Sequence, residues 1–246
     1  MEYLFARDYR QQLGEVERIF KTGMLKSWPE IKPYVNLLEG DTTWEHLTLM
    51  TLVFNDHLGI DDRLSTVMAY IFKNLYLAQT IHCQVKDDEE GQEYNQDLQF
   101  AILIGDYTFG YIMQLLLENR AEQVLDSLAS MICAISEGLV RKRYQAWSPI
   151  KEIEEIRAPL YATAFQSAAQ LAGCGMESFY HRLGHDMGMA VELLHLGVNS
   201  QVERYVRNSF EMLSSLKHDH SLGGVMGKVI SELHELACSQ GRAAVI

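Results

Sequence analysis

Two short segments hold residues of the kinds that bind metal ions and phosphates, but the set is incomplete. The first, residues 81–87, reads IHCQVKD, and the second, residues 105–107, reads GDY. Magnesium takes oxygen ligands, above all carboxylates. Asp87 is the one carboxylate of the first segment, and Cys83 and Gln84 supply none. We interpret this segment as a metal site without most of its ligands.

Other uses of these residue types are weakly supported. Cys83 and His82 are residue types that serve as nucleophile and base, but adjacent helical residues point about 100° apart and are poorly placed for proton transfer. We therefore expect Cys83 to be a buried structural thiol. Glu192-x-x-His195 matches one half of a di-iron helix motif, and the second half is absent from the sequence. The acidic run 87–90 has no facing partner, so we expect a solvated loop and no metal or cofactor bound by this chain.

The segments that must position these residues show helical periodicity, with apolar residues every three to four positions. A helix is expected to begin near Thr43, whose hydroxyl would cap it. No hairpin signal or fixed repeat is found. We predict an all-α fold, a single domain of about ten helices over residues 1–246. The main predicted helices are 7–22, 43–55, 62–82, 97–119, 121–147, 159–171, 176–195, 199–216 and 222–238.

Composition narrows the class of protein. The chain has 246 residues, 48% hydrophobic content and a formal net charge of -12. This acidity argues against binding to nucleic acid or to anionic lipid, since both need clustered basic residues. The four cysteines form no Cys-x-x-Cys pair, which favours reduced thiols in the cytoplasm. We see no signal peptide, and no uncharged apolar run approaches the ~20 residues of a membrane span.

Residues 58–199 resemble the trans-isoprenyl diphosphate synthases in the order of their features. In that family a long helix ends in His-Asp-Asp-x-x-Asp, and Gly-Asp-Tyr opens a later helix. Here a helix is predicted to end at His82, a polar loop follows, and residues 101–107 (AILIGDY) open the next helix. The resemblance implies the all-α fold of that family, in which helices 97–119 and 121–147 pack against a second subunit.

The diphosphate chemistry of that family is missing at each matching position. The resemblance implies two facing aspartate clusters that hold Mg²⁺ through oxygen ligands, and only Asp87 matches one of these aspartates. Residues 88–96 also lack the expected arginines, which would bind a diphosphate. The positions that depart from the family's aspartates and lysine are Cys83, Gln84, Ala162, His195, Leu196 and Asn199.

The chain has the predicted helices of this family but lacks its metal ligands. In this combination it resembles the small, non-catalytic subunits of the two-component heptaprenyl diphosphate synthases of Gram-positive bacteria. The resemblance implies a regulatory subunit that forms a heterodimer with a catalytic polyprenyl synthase subunit. That partner would hold Mg²⁺ and make the prenyl chain for menaquinone, and this chain would help to set product length. The isolated chain could also self-associate.

Two other interpretations stay open. The chain could be a divergent enzyme of the same fold that uses Asp87, Asp88, Glu192 and His195 as ligands. It could also be a helical adaptor unrelated to isoprenoids. Helices 62–82 and 176–196 would then not face each other across a central cavity.

Helices 97–119 and 121–147 also carry the candidate residues for a dimer face or for a partner's prenyl tunnel. The aromatic members could equally be ordinary core. We expect Asp106 to lie in the first turn of its helix, where the helix dipole would stabilise its charge by roughly 0.3–1 kcal/mol. The candidates are Phe100, Asp106, Tyr107, Tyr111, Ile135 and Leu139.

Overall fold

A computed structural model describes residues 3–84, 96–216 and 224–243, and this part of the chain is helical, without a strand. The all-α prediction is confirmed. The helices are α1 (Arg10–Thr22), α2 (Met24–Ser27), α3 (Lys32–Asn36), α4 (Thr42–His57), α5 (Asp62–Cys83), α6 (Gln96–Glu118), α7 (Leu125–Tyr144), α8 (Pro149–Glu152), α9 (Ala158–Ala172), α10 (Glu177–Leu196), α11 (Asn199–Ser214) and α12 (Val225–Ala243). Short 3₁₀ helices lie at Phe5–Tyr9, Pro29–Ile31 and Glu122–Val124, and a π-helical turn lies at Ile153–Arg157.

The predicted cap of α4 is wrong. The helix begins at Thr42, and the carboxylate of Asp41 caps it by accepting a hydrogen bond from the N–H of Trp44 at 3.0 Å. Thr43 lies inside the first turn and donates its hydroxyl to Glu192 at 2.7 Å instead. A carboxylate just before the helix reaches its free N–H groups better than a hydroxyl within the first turn. The cap residue thus brings a charge to this region.

α9 and α10 pack closely along each other at the centre of the described fold. A Cβ atom at Gly184 would lie 2.7 Å from the carbonyl oxygen of Tyr161, and one at Gly188 would lie 2.7 Å from the Tyr161 ring. The absence of a side chain at these two positions is what allows the close approach. One cluster of buried apolar residues extends from Tyr3 to Ala237. That residues 1–246 form a single domain stays a prediction.

α6 and α7 leave much of their apolar surface uncovered. α6 packs on α5, whereas α7 packs on α9 and on the π-helical turn. The exposed fraction is 68% for Leu103, 65% for Leu117, 57% for Val140 and 84% for Tyr144. Large apolar side chains in one exposed region are typical of a surface that another molecule covers.

The expectation that no segment is apolar enough to span a membrane does not hold for α6 and α7. By length and composition alone, Gln99–Glu118 and Glu122–Tyr144 are long and apolar enough to cross one, and only 33% and 28% of their most apolar windows are buried. The sequence-based expectation counted uninterrupted apolar runs, which Asp106, Asp126 and Glu137 break, whereas mean hydropathy averages over such residues. Both helices thus combine high mean hydropathy with low burial.

Candidate functional site

A cleft of about 1100 Å³ opens at the end of α5. Residues of α5, α6, α7, the π-helical turn and α9 line it. It brings together Cys83, Gln84, Asp106, Ile135 and Leu139 from the sequence-predicted set. None of the described residues that line it comes from α10. α10 nevertheless reaches the edge of this cleft through Glu192, which accepts a hydrogen bond from the cleft residue Arg157 at 3.3 Å.

The two segments singled out in the sequence are in direct contact. The His82 ring, from α5, lies over α6 at Gly105, where an added Cβ would come within 2.1 Å of its Nε2 atom. The ring stacks on Phe109 with 5.7 Å between centroids. Its Nε2 atom also lies 3.9 Å from Oδ1 of Asp106. His82 and Gly105 thus form a packing pair that fixes α6 against the end of α5.

Two expectations at this end of the cleft are wrong. Asp106 lies well inside α6, because the helix already begins at Gln96, so the helix dipole does not stabilise its charge. Cys83 is exposed rather than buried, because it is the last residue of α5 and lines the cleft. Desolvation still raises the pKa of its thiol above the usual value. The thiol is therefore neutral near pH 7. Asp87 and Asp88 lie outside the described residues.

A buried polar network closes the other end of the cleft. Arg157 extends from the π-helical turn and donates to Asp41 at 3.0 Å and to Glu192 at 3.3 Å. Tyr76 donates to Asp41 at 2.9 Å, and Tyr161 donates to Glu192 at 2.8 Å. Burial raises the pKa of Glu192, and the positive charge of Arg157 opposes that rise. The network joins α10 to the start of α4 and to the π-helical turn.

This network explains the role of Glu192, which the sequence placed in one half of a di-iron motif with His195. The Glu192 carboxylate is only 3% exposed, and it accepts hydrogen bonds from Thr43, Tyr161 and Arg157. These hydrogen bonds and the positive charge of Arg157 compete with any metal ion for this carboxylate. Across the described residues there is no group of three or more His, Cys, Asp or Glu side chains that could hold one. These residues do not fit the Mg²⁺ ions that catalysis by the resembled family requires.

The four other replaced positions, which include the exposed Leu196, lie away from the cleft lining. Ala162 is fully buried in α9, and Asn199 is the first residue of α11. The His195 ring lies 4.4 Å from the His46 ring, and the Tyr3 ring meets it edge-on. Burial lowers the pKa of His195 to about 4, and the nearby His46 adds to this effect. The N-terminal segment thus packs on the end of α10 through Tyr3.

The candidate aromatic residues on α6 are divided between core and surface. Phe100 and Tyr111 pack partly against the apolar core. Tyr107 is 44% exposed, and the Trp28 ring lies 5.0 Å from it. A role for these residues in a partner's tunnel stays a prediction, as does the role of Ile135 and Leu139 in the partner face.

Comparison with solved structures identifies the fold. The geranyl diphosphate synthase small subunit from Antirrhinum majus aligns with a TM-score of 0.58 and 14% identity, over 90% of this chain and 98% of that chain. A decaprenyl diphosphate synthase from Rhodobacter capsulatus aligns with a TM-score of 0.61 and 15% identity, over 98% and 88% respectively. This chain has the isoprenyl diphosphate synthase fold.

A third structure of this fold is similar as well. A deletion mutant of the heterotetrameric geranyl pyrophosphate synthase of mint aligns with a TM-score of 0.52 and 15% identity, over 94% of this chain and 99% of that chain. No protein-family model and no curated protein matches the chain. At such low identity, a shared isoprenyl diphosphate synthase fold does not by itself carry the reaction over.

Sequence reasoning missed the Arg157 network. Arg157 and Asp41 are 116 residues apart in sequence, and Arg157 stands in an acidic stretch that reads as solvated surface. The one available signal was an arginine just before the apolar helix α9. That signal does not name its carboxylate partners, because they come from α10 and from the start of α4.

Proposed function

We propose that this chain is a non-catalytic subunit of a heteromeric long-chain prenyl diphosphate synthase. The proposal rests on the combination of an isoprenyl diphosphate synthase fold with the absence of carboxylate ligands for Mg²⁺ among the described residues of the cleft end of α5. The described end of α5 presents Cys83 and Gln84 to the cleft, and the nearby buried carboxylate of Glu192 accepts hydrogen bonds from Thr43, Tyr161 and Arg157. Ionisation of an allylic diphosphate needs several Mg²⁺ ions on oxygen ligands. Those ligands would come from a catalytic partner.

Similarity to a small subunit and to a heterotetrameric synthase supports this assignment. The first is a small subunit and the second is a heterotetrameric synthase, and each aligned chain is covered over nearly its whole length. The subunit role is assigned to this chain by analogy of fold. The replaced residues at the cleft favour a non-catalytic subunit over a catalytic one.

The proposed docking surface is the exposed apolar face of α6 and α7. Leu103 and Leu117 lie on α6, and Val140 and Tyr144 lie on α7. A stable interface buries about 800 Å² per partner, and its core is depleted of charge. Docking there leaves the buried core untouched, so loss of the chemistry need not have weakened assembly.

The finer parts of the proposal come from the resemblance to the two-component heptaprenyl synthases. The complex would be a cytoplasmic heterodimer that makes a heptaprenyl chain for menaquinone, with Mg²⁺ on the catalytic subunit. This chain would stabilise the active conformation of its partner and help to set product length.

Reconstitution tests the proposal. The chain is purified alone, and so is the product of a neighbouring gene whose sequence keeps both aspartate clusters. Each is assayed for prenyl transfer with isopentenyl diphosphate, an allylic diphosphate and Mg²⁺, and product length is read by chromatography. We expect no transfer by this chain alone and a large gain when the two are mixed. Full activity of the catalytic chain alone, with unchanged product length, would refute the regulatory role.

A further inference from the structure

The helices that expose apolar side chains carry charge of almost one sign. Residues 96–140 include all of α6 and most of α7, and Arg120, in the connection between the two helices, is their one basic residue. Their acidic residues are Asp97, Asp106, Glu118, Glu122, Asp126 and Glu137. Any molecule that covers this face therefore meets negative charge.

On α6 the acidic side chains lie at the two edges of the apolar strip. Leu103 and Leu117 are strongly exposed along this strip. At about 100° of rotation per residue, Asp106 and Glu118 point about 60° to either side of Leu103. The Asp106 side chain is 68% exposed, and Glu118 is exposed as well. A partner that packs on the strip would thus have a carboxylate on each side of the contact.

α7 adds two carboxylates to the same exposed region. Asp126 and Glu137 are both exposed, and they point within about 20° of Tyr144 around the helix. Tyr144 and Val140 are the strongly exposed apolar residues of this helix. The apolar and acidic side chains of α7 therefore face the same partner.

The basic residues at the end of α7 are engaged elsewhere. Arg141 pairs with Glu155 at 2.8 Å, and Lys142 pairs with Glu152 at 2.7 Å. Arg143 lines the cleft and has a partner as well. Within the described part of the chain, the acidic residues of α7 form no ion pair. Their charge stays available to a partner.

This charge distribution disfavours a second copy of the same chain. In a symmetric dimer each subunit uses the same surface, so acidic edges would meet acidic edges. Opposed like charges suppress association, and exposed charges act over about 10 Å at 0.1 M salt. An anionic lipid surface would be repelled in the same way.

We propose that the acidic edges of the α6–α7 face select a partner protein whose matching face is apolar at its centre and basic at its edges, and that they keep two copies of this chain apart. The inference rests on the proposed function, which takes this face as the docking surface, and it adds the chemistry of the partner. The apolar centre would supply affinity, whereas the charged edges would set partner choice and salt dependence.

A copy of this chain with reversed edges supplies a partner of that chemistry. The triple variant Glu118→Lys, Asp126→Lys and Glu137→Lys keeps the apolar residues and reverses three acidic positions. Sedimentation velocity at low salt compares the wild-type chain alone, the variant alone and their equimolar mixture. We expect the mixture to dimerise with a Kd at least tenfold lower than that of either chain alone, equivalent to ~1.4 kcal/mol.

A matched control separates this effect from net charge. The variant Glu203→Lys, Glu211→Lys and Glu235→Lys makes the same change of charge on α11 and α12. Its mixture with the wild-type chain should dimerise no more than the wild-type chain alone. High salt should weaken the pairing of the face-reversed variant with wild type, because the edges are exposed. Circular dichroism shows that each variant is folded.

Three results would overturn the inference. They are equal dimerisation of the wild-type chain alone and of its mixture with the face-reversed variant, equal dimerisation of the two mixtures, and pairing that does not weaken in high salt. The experiment measures neither prenyl transfer nor binding to a catalytic chain. Its failure would leave the proposed function to the reconstitution assay, and a negative reconstitution would leave this result standing.

Discussion

At the scale of residues, the segments that attracted attention as a damaged metal site now have a packing role. The His82 ring occupies the space that a side chain at residue 105 would need. Gly105 thus has a role in the packing of α6 on α5. A residue that looks catalytic by resemblance can have such a structural role instead.

Gly105→Ala tests this packing role. The new methyl group must displace the His82 ring, and we expect a loss of about 1–3 kcal/mol in the free energy of unfolding, as for other overpacked sites. Gly110→Ala is the matched control, since it lies on the same helix with nothing within 4 Å of the added Cβ. It should stabilise by about 0.5–1 kcal/mol. Urea unfolding measures both, and equal stability of the two variants would contradict the packing role.

His195 is predicted to make the fold sensitive to acid. Its pKa is about 4 in the folded chain, against 6.5 for a free side chain. The unfolded state therefore binds more protons between these values, so stability is full above pH 6.5 and falls as pH drops toward 4. After allowance for its partial exposure, the loss is about 1–2 kcal/mol.

The variant His195→Gln should show a shallower fall in the free energy of unfolding over the same pH range. The comparison with wild type isolates this residue from the carboxylates that titrate nearby. An unchanged slope would show that His195 does not carry the acid sensitivity.

At the scale of elements, the Arg157 network joins α4, α10 and the π-helical turn at the end of the cleft.

Helix bounds could be predicted from the sequence, because apolar spacing is a local signal. The predicted helix 199–216, for example, is observed as Asn199–Ser214. The network could not be predicted, because its ion pairs cross from one helix to another and leave no periodic pattern. The position of Asp106 was mispredicted for a different reason, since the family resemblance takes Gly-Asp-Tyr as a helix start although the periodicity already places the start near residue 97.

Removing Arg157 should destabilise the chain far more than removing an exposed partner of an ion pair. Arg157→Ala leaves Glu192 buried and without its cation, which costs about 3–5 kcal/mol in comparable sites. Arg141→Ala is the control, because Arg141 pairs with Glu155 at 2.8 Å near the surface and should cost about 0–1 kcal/mol. Thermal or urea unfolding gives both values. A small and equal loss in the two variants would mean that the network does not hold these elements together.

At the scale of the whole molecule, α6 and α7 expose apolar side chains, whereas the buried charges of Arg157 and Glu192 are paired with each other. The all-α architecture followed from the sequence, and solved structures identify it as the isoprenyl diphosphate synthase fold. The exposure of α6 and α7 could not be read from their periodicity, because these helices are apolar on more than one face. Their uncovered surface gives the molecule its clearest need for a partner.

The most direct measurement of the central claim is the activation of the catalytic chain by variants of this one. Leu103→Glu combined with Leu117→Glu places charge on the α6 face, and Leu196→Glu combined with Phe210→Glu makes the same change at exposed apolar residues elsewhere. Prenyl transfer is measured as each variant is titrated against a fixed amount of the catalytic chain. We predict that the α6 variant needs at least tenfold more protein than wild type, equivalent to ~1.4 kcal/mol, while the control matches wild type. Equal activation by wild type and the α6 variant would contradict the account.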